Sequence, residues 1–498
     1  MAYIDGERNQ MALMPNSIEE YISADDPVRA YDAMIETIFS EINHKFNFNS
    51  NKPGANEYHP KTMLKILVYS YSYGVRSSRK IERNLHHNLS YIWLSGGIKP
   101  DHWTISDYRK RYRESIKDVI KACAKICMKL GLIEGNVLFV DGSKFRANAS
   151  IANTWTKSRC EKALEKINER ITKLLDECEA EDDAEKGSGS YVKMRKELCD
   201  HKELAKEIEN IMADIEESGK ESINTMDPDS VKTKSSHGSH SSYNVQLVTD
   251  EKNGLIVSAE AESASTDHNE FCKQMNNAAE ITGKKVKAGC ADAGYSSIED
   301  LKNAPKGMKV VVPTNRQMRD ERTDEEIIDK SDFEYDENFD VYRCPANRVL
   351  TYSGTYEENR HYKIKGKICQ KCIYYGKCTK SKQGRVIVRL KDEKIKEKFE
   401  RMYMSKSGQK IYSRRKEVSE LPFGHIRRNM GFNQFSLRSK SKANCEVSIL
   451  ATCFNITRMT TLLGVSGLIS KLSKLKPDIY SKIKDLISSI LKQDEVYA

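Results

Sequence analysis

Val137-Leu138-Phe139-Val140-Asp141-Gly142-Ser143 is the stretch around which this chain is organised. Four apolar residues run without a break into a carboxylate and a glycine. Such a Val/Leu/Phe run reads as a strand covered on both faces, at the centre of a mixed sheet. The strand is expected to end at Asp141, the position where open α/β sheets carry their chemistry. A plainer reading fits the same residues: an aspartate that opens a turn and caps the next N–H groups. On the segment alone the plainer reading is the better one, since turn aspartates are common.

The chain has 498 residues, against about 100–200 for a usual domain, so several domains are expected. Hydrophobic residues make up 38%, enough for a real core, and the formal charge of +10 suits a protein that tolerates or seeks polyanions. Met1 to Arg8 lack the apolar core of a secretory signal, and no apolar run approaches the ~20 residues of a transmembrane helix. A cytoplasmic protein with no membrane partner is expected. The 13 cysteines are odd in number and mostly scattered, which points to reduced thiols.

Residues 18–116 read as helical. Asp26-Pro27 suits a helix start, and Pro60 opens a second helix at its first turn. Thr104-Ile105-Ser106-Asp107 offers a capping box for a helix carrying Arg109, Lys110, Arg111 and Arg113. Short helices with a basic final member resemble a helix-turn-helix reader of DNA, while a bundle with a solvated basic face reads equally well. Beyond Asp141, apolar residues at three-four spacing from Leu164 to Cys178 and from Met194 to Ile215 form two heptad arms, an antiparallel helical hairpin.

After Pro228 the texture is β. Tyr243–Val248 and Leu255–Ala261 flank a turn at Asp250–Gly254, Thr266-Asp267 is expected to cap a helix through Ile281, and Lys285–Ala291 leads to a second strand-end acid, Asp292. Without the hairpin, strand with Asp, two strands, helix, strand with Asp, strand is the element order of a ribonuclease H-like core. The intervening segment to Lys398 carries Cys344, Cys369, Cys372 and Cys378. One CxxC pair makes half a tetrahedral thiolate site that Cys344 and Cys378 would complete with Zn²⁺, supplying stability to loops too polar to fold alone; the rival reading is four unrelated thiols. Finally, Glu417 and Glu420 lie three apart on a basic helix and share one side of it.

Taken together, the chain resembles a DDE-type transposase of bacterial insertion sequences. The resemblance runs from about residue 18 to about 462. It rests on Tyr-Gly-Val-Arg-Ser-Ser-Arg-Lys at 73–80, Asp-His-Trp-Thr-Ile-Ser-Asp-Tyr-Arg at 101–109 and Val-Asp-Gly-Ser-Lys at 140–144. Ala-Asp-Ala-Gly-Tyr at 291–295 and Arg-Lys-Glu-Val-Ser-Glu-Leu-Pro-Phe-Gly at 415–424 complete it. It implies an α/β ribonuclease H-like core with a mixed sheet, a helical N-terminal domain, a helical-hairpin insertion and a small Cys-rich insertion. The expected boundaries are 1–130 for the helical DNA-binding domain and 131–153, 227–315 and 406–465 for the discontinuous catalytic core. The hairpin would occupy 154–226, the Cys-rich insertion 316–405 and an amphipathic tail 466–498.

The same resemblance makes Asp141, Asp292 and Glu420 the catalytic carboxylates, with Glu417 a rival for the third. They would hold two Mg²⁺ (or Mn²⁺) ions for phosphodiester cleavage and strand transfer on the element's terminal inverted repeats and target DNA. The family signature places a tyrosine and an arginine before the glutamate and a lysine seven residues after it. Tyr412, Lys416 and Arg427 would fill those places, with Tyr412 one residue too far and the Arg and Lys types exchanged. Together with Arg109, Lys110 and Arg113 they are the expected DNA contacts. Pairing two DNA ends implies at least a homodimer. Two other readings remain: an idle DNA-binding scaffold derived from such an enzyme, and a ribonuclease H-like nuclease without strand transfer.

Overall fold

A computed structural model of the chain describes residues 17–46, 57–182, 189–235, 238–314, 317–318 and 328–475. Most of the expected tail therefore lies outside the described residues, as does most of the turn between the two hairpin arms. In chain order the N-terminal helices are α1 (Pro27–Ile42), α2 (Pro60–Ser72), α3 (Ser78–His87), α4 (Leu89–Ser95), α5 (His102–Arg111), α6 (Arg113–Lys117) and α7 (Val119–Lys129). Then come β1 (Val137–Arg146), β2 (Thr154–Thr156), α8 (Lys157–Asp182), α9 (Gly189–Ser218), β3 (Ser222–Asn224), β4 (Val231–Ser235), β5 (Gly238–Asp250), β6 (Ile256–Glu262) and α10 (Phe271–Thr282). The chain continues through β7 (Ala288–Cys290), α11 (Ile298–Leu301), β8 (Lys309–Val311), β9 (Glu334–Asp336), β10 (Val341–Arg343), β11 (Val349–Tyr356), β12 (Asn359–Lys363), α12 (Gly366–Gln370) and β13 (Val386–Arg389). It closes with α13 (Glu393–Met404), α14 (Lys406–Ser413), α15 (Arg415–Arg428), α16 (Lys440–Leu463) and α17 (Val465–Ser473).

These elements form two compact units. Of the described residues, one comprises those within 17–267, 274–286 and 416–475; the other comprises those within 268–273 and 287–415.

In the first unit β1 does not stop at Asp141. It pairs antiparallel with β5 from Leu138↔Asp250 to Arg146↔Ser242, so Asp141 lies inside a ten-residue strand, opposite Leu247. Gly142 and Ser143 fail to break the strand because the long partner continues the ladder past them. β6 pairs antiparallel with β5, and its other edge is covered by α16. There Asn455 exchanges two 2.8 Å hydrogen bonds with the Ile256 backbone, while the Ala261 N–H donates to Asn444 Oδ1 at 2.7 Å. Two amides thus occupy a sheet edge that would otherwise be unpaired. α16 is buried on nearly every side between Ala443 and Ile456, and its buried positions include the polar Glu446, Ser448, Thr452 and Asn455. The hairpin forms as expected, with Ile167, Ile208, Ile215 and Cys160 at the seam.

Two expected caps move. Asp101, not Thr104, opens α5, its Oδ1 accepting from the Thr104 N–H at 2.7 Å. Asp267 does not cap α10; it accepts from Asn244, Gln246 and Lys144 at 2.7–2.9 Å instead.

In the second unit β7 and β8 pair in parallel, and β9–β13 form a five-stranded antiparallel sheet in the order β13-β12-β11-β10-β9. The Cys-rich insertion is therefore not a set of polar loops. It has its own core of Phe333, Tyr342, Leu350, Tyr362, Ile364 and Ile387. Tyrosines do much of that burial, which a count of aliphatic residues understates.

Candidate active site

Asp141 is buried, 9% exposed, and its Oδ1 accepts from the Gly142 N–H at 3.1 Å. By strand alternation Asp141, Ser143 and Phe145 share one face of β1; α15 packs there at one end and against the β5–β6 turn at the other. At its C-terminal end the Arg427 guanidinium sits 4.3 Å from the centre of the Phe145 ring and donates to Ser143 Oγ at 2.8 Å and to the Lys144 carbonyl at 2.9 Å. Nearer its start, Val418 O and Leu421 lie about 4 Å from where a Cβ on Gly254 would stand, in the turn that follows Asp250, the register partner of Leu138. Between these anchors on the helix lies Glu420. Between their counterparts on the sheet lies Asp141.

The two glutamates of α15 separate in this geometry. Val418, Ser419, Pro422, Phe423 and Ile426 are its buried side chains. At about 100° per residue, Glu417 points directly away from that stripe, together with Gly424 and Arg428. Glu420 lies on the stripe's flank, two turns before Arg427 on the same side. Both glutamates are solvent-exposed, and so is Lys416. Burial lowers the pKa of Arg427, whose charge is matched by the ring and the two oxygens it touches.

The second unit holds Asp292 directly after β7, half-buried, with its Oδ1 accepting from the Gly294 N–H at 2.8 Å. Tyr412 belongs to this unit's packing: its ring meets Tyr403 edge-on at 5.0 Å and its hydroxyl donates to Met318 Sδ at 3.4 Å. Arg415 lies over Tyr412 at 5.9 Å. Burial raises the pKa of the Cys290 thiol to about 12; Arg415 opposes the rise and Asp292 adds to it. Burial likewise raises Tyr412, again against Arg415. Asp292, Arg415 and Tyr412 are thus neighbours. The sequence reading passed over Arg415 in favour of Lys416. The overlooked signal is that Arg415 is of the residue type the signature places between its tyrosine and its glutamate, which Lys416 is not.

Of the three basic residues assigned to DNA in the helical region, Lys110 and Arg113 are exposed and Arg109 is buried. Arg109 donates to Tyr71 Oη (3.2 Å), Ser78 Oγ (2.6 Å) and the Arg76 carbonyl (3.2 Å), and Tyr71 in turn donates to the buried Glu446 at 2.8 Å. Its guanidinium joins α2, α3 and α16 instead of facing a groove.

Cys344, Cys369, Cys372 and Cys378 all line one cavity of about 810 Å³ beside the five-stranded sheet. Burial raises the Cys378 thiol, opposed by Arg385, with the other three thiols adding to the rise. Cys344 Sγ also accepts from the Arg348 N–H at 3.3 Å. The thiols converge, yet among the described residues no three or more His, Cys, Asp or Glu side chains are gathered closely enough to hold a metal ion. The arrangement as it stands therefore supports neither the expected zinc site nor the expected Mg²⁺ site of Asp141, Asp292 and Glu420.

Residues 16–111 match the family described as Transposase domain (DUF772), and residues 343–460 match the family described as Transposase DDE domain. The two matches support a DDE-type transposase of insertion-sequence type. Tyr412, Glu420, Arg427 and the four cysteines fall within the second match; Asp141 and Asp292 lie outside both. No curated protein and no solved structure matches the chain. Among the described residues no single helix is long and apolar enough to cross a membrane.

Proposed function

We propose that the chain binds the terminal inverted repeats of its own element and catalyses metal-dependent strand cleavage and strand transfer on a ribonuclease H-like core. The observation that carries this reading is the fastening of α15 along β1, with Glu420 on the flank that Arg427 uses and Asp141 on the strand face beneath. Consecutive antiparallel strands β1, β5 and β6 around the first acid suit such a core.

In this proposal Asp141, Asp292 and Glu420 supply the ligands. Carboxylates are hard oxygen donors, the type Mg²⁺ and Mn²⁺ prefer. A pair of such ions, when bound, activates the incoming oxygen and stabilises the leaving one in an in-line displacement at phosphorus. Arg427, fixed by the Phe145 ring and two oxygens, holds the glutamate helix in register. Arg415, with Tyr412 beneath it, stands beside Asp292 as a forked donor for a DNA phosphate. Lys110 and Arg113 add exposed charge for the backbone, and pairing two ends calls for at least two copies.

Zinc on the four thiols is a second, separate proposal, favoured by their convergence on one cavity. It requires the side chains to close further, and elemental analysis under reducing conditions finding no zinc would remove it.

The test is incubation of the purified chain with Mg²⁺ and a duplex carrying the element's own ends. Joined products are expected. Nicks without joining would favour the nuclease, and metal-independent binding without nicking would favour the scaffold.

A further inference from the structure

Between Glu358 and Asp392 the sequence contains no acid and eleven Lys or Arg residues. The fold gathers much of this charge in one place. β12 pairs with β13 as far as Lys363↔Val386, which brings the loop after β12 alongside the loop before β13. Two glycines permit the approach. A Cβ on Gly366 would stand 2.0 Å from the Lys382 carbonyl, and one on Gly384, which has φ +98°, would stand 2.2 Å from the Ile364 carbonyl. Gln370 Nε2 also donates to the Lys382 carbonyl at 2.9 Å.

Lys363 at the end of β12, Lys365 in the loop after it and Lys367 at the start of α12 therefore lie close to Lys380 and Lys382 in the loop before β13, with Lys371 after α12. All six are exposed. None is in an ion pair among the described residues, whereas Arg360 and Lys391 at the ends of the acid-free run pair with Asp340 and Glu358. Concentrating like charge costs free energy through mutual repulsion, and a polyanion relieves it.

We propose that these two lysine loops form a ridge that binds the phosphate backbone of duplex DNA, separately from the basic residues of the helical N-terminal region. The inference deepens the transposase reading and rests on it. Lysines on flexible stems suit sequence-independent contact, because they act as point charges on the backbone and not as forks that read base edges. The ridge would contribute affinity and salt dependence, leaving recognition of the terminal repeats elsewhere.

The test uses the full chain and a random-sequence duplex without metal, measuring the binding constant across a salt series. One variant carries Lys365→Gln, Lys367→Gln, Lys380→Gln and Lys382→Gln. A charge-matched control carries Lys162→Gln, Lys166→Gln, Lys173→Gln and Lys206→Gln on the hairpin. Near-UV circular dichroism confirms that the tyrosine core of the five-stranded sheet is intact in both. The ridge variant is expected to lose about 3.6 units of slope in log K against log salt, since each of four phosphate contacts contributes about 0.9, and to bind roughly tenfold or more weakly. The control keeps the wild-type slope. A ridge variant matching wild type, or both variants losing equally, overturns the ridge while leaving the transposase reading intact. Poly-glutamate displacing the duplex as well as DNA does at equal charge overturns the assignment to DNA. A wild-type chain that binds no duplex overturns both readings.

Discussion

Arg427 donates from α15 to Ser143 Oγ at 2.8 Å, on the strand face that also carries Asp141. One side chain thereby sets where the glutamate helix lies along β1. Arg427→Ala removes two hydrogen bonds and a cation–ring contact at a half-buried site and should cost about 2 kcal/mol of stability. Arg427→Lys keeps the charge without the fork and should recover part of that stability but less of the cleavage activity, because the helix is no longer held in register. Denaturant unfolding and end-cleavage rates measured on both variants check this. Equal activity in the Arg427→Lys variant and the wild type would show that charge alone suffices.

Arg109 and Lys110 are adjacent in sequence and separate in effect. Arg109→Ala removes the donor to Ser78 Oγ and the Arg76 carbonyl and leaves the Tyr71–Glu446 pair without its guanidinium, and should destabilise the helical region by about 2–3 kcal/mol. Lys110→Ala should change stability by less than ~0.5 kcal/mol while weakening duplex binding and its salt dependence. Thermal unfolding paired with a binding titration distinguishes the two; the opposite pattern would return Arg109 to a DNA-facing role.

Asp227 gives a pH signature. It is buried, its Oδ1 accepts from Tyr243 Oη (2.7 Å) and the Ser439 N–H (3.1 Å), and its Oδ2 has no hydrogen-bond partner among the described residues. Burial raises its pKa, outweighing the two bonds that lower it. A carboxyl whose folded pKa exceeds its unfolded value, about 3.9, stabilises the fold fully below that value and loses this contribution as pH rises through the folded one. The stability of wild type relative to Asp227→Asn should therefore improve as pH falls from 7 to 4. A difference that is flat, or that moves the other way, contradicts the assignment.

The five-stranded module should be held by its tyrosines whether or not metal is bound. Tyr362 is fully buried and its hydroxyl donates to Asp340 at 2.6 Å. Tyr362→Ala should cost about 3–5 kcal/mol, and a chelator acting on the wild-type chain should leave the module resistant to proteolysis. Rapid cleavage between β9 and β13 on chelation would restore the view that metal, not packing, holds it.

Much of this was legible in the sequence because the signals were local. Proline at the first turn marked α1 and α2, and three-four apolar spacing marked the hairpin arms. What escaped depended on pairing across the chain. β1 runs past Asp141 because β5 is long enough to continue the ladder, and no property of Gly142-Ser143 announces that. β9–β13 were missed because short strands with tyrosine cores read as polar loops. Arg109 looked like a surface cation until Tyr71 and Glu446 supplied its surroundings. Glu417 and Glu420 were equivalent by spacing; the resemblance favoured Glu420, and the position of the buried stripe on α15 sets the two side chains apart.

The most direct test of the central claim compares end cleavage in Mg²⁺ by Asp141→Asn, Glu420→Gln and Glu417→Gln, with duplex binding confirmed for each. Loss of a carboxylate acting at the reacting phosphate should lower the cleavage rate by roughly 10²–10³ or more in the first two variants. Glu417→Gln should stay within about threefold of wild type, as expected for a solvated side chain remote from the reacting centre. Cleavage at wild-type rate by Asp141→Asn or Glu420→Gln, or its loss in Glu417→Gln alone, would contradict the account.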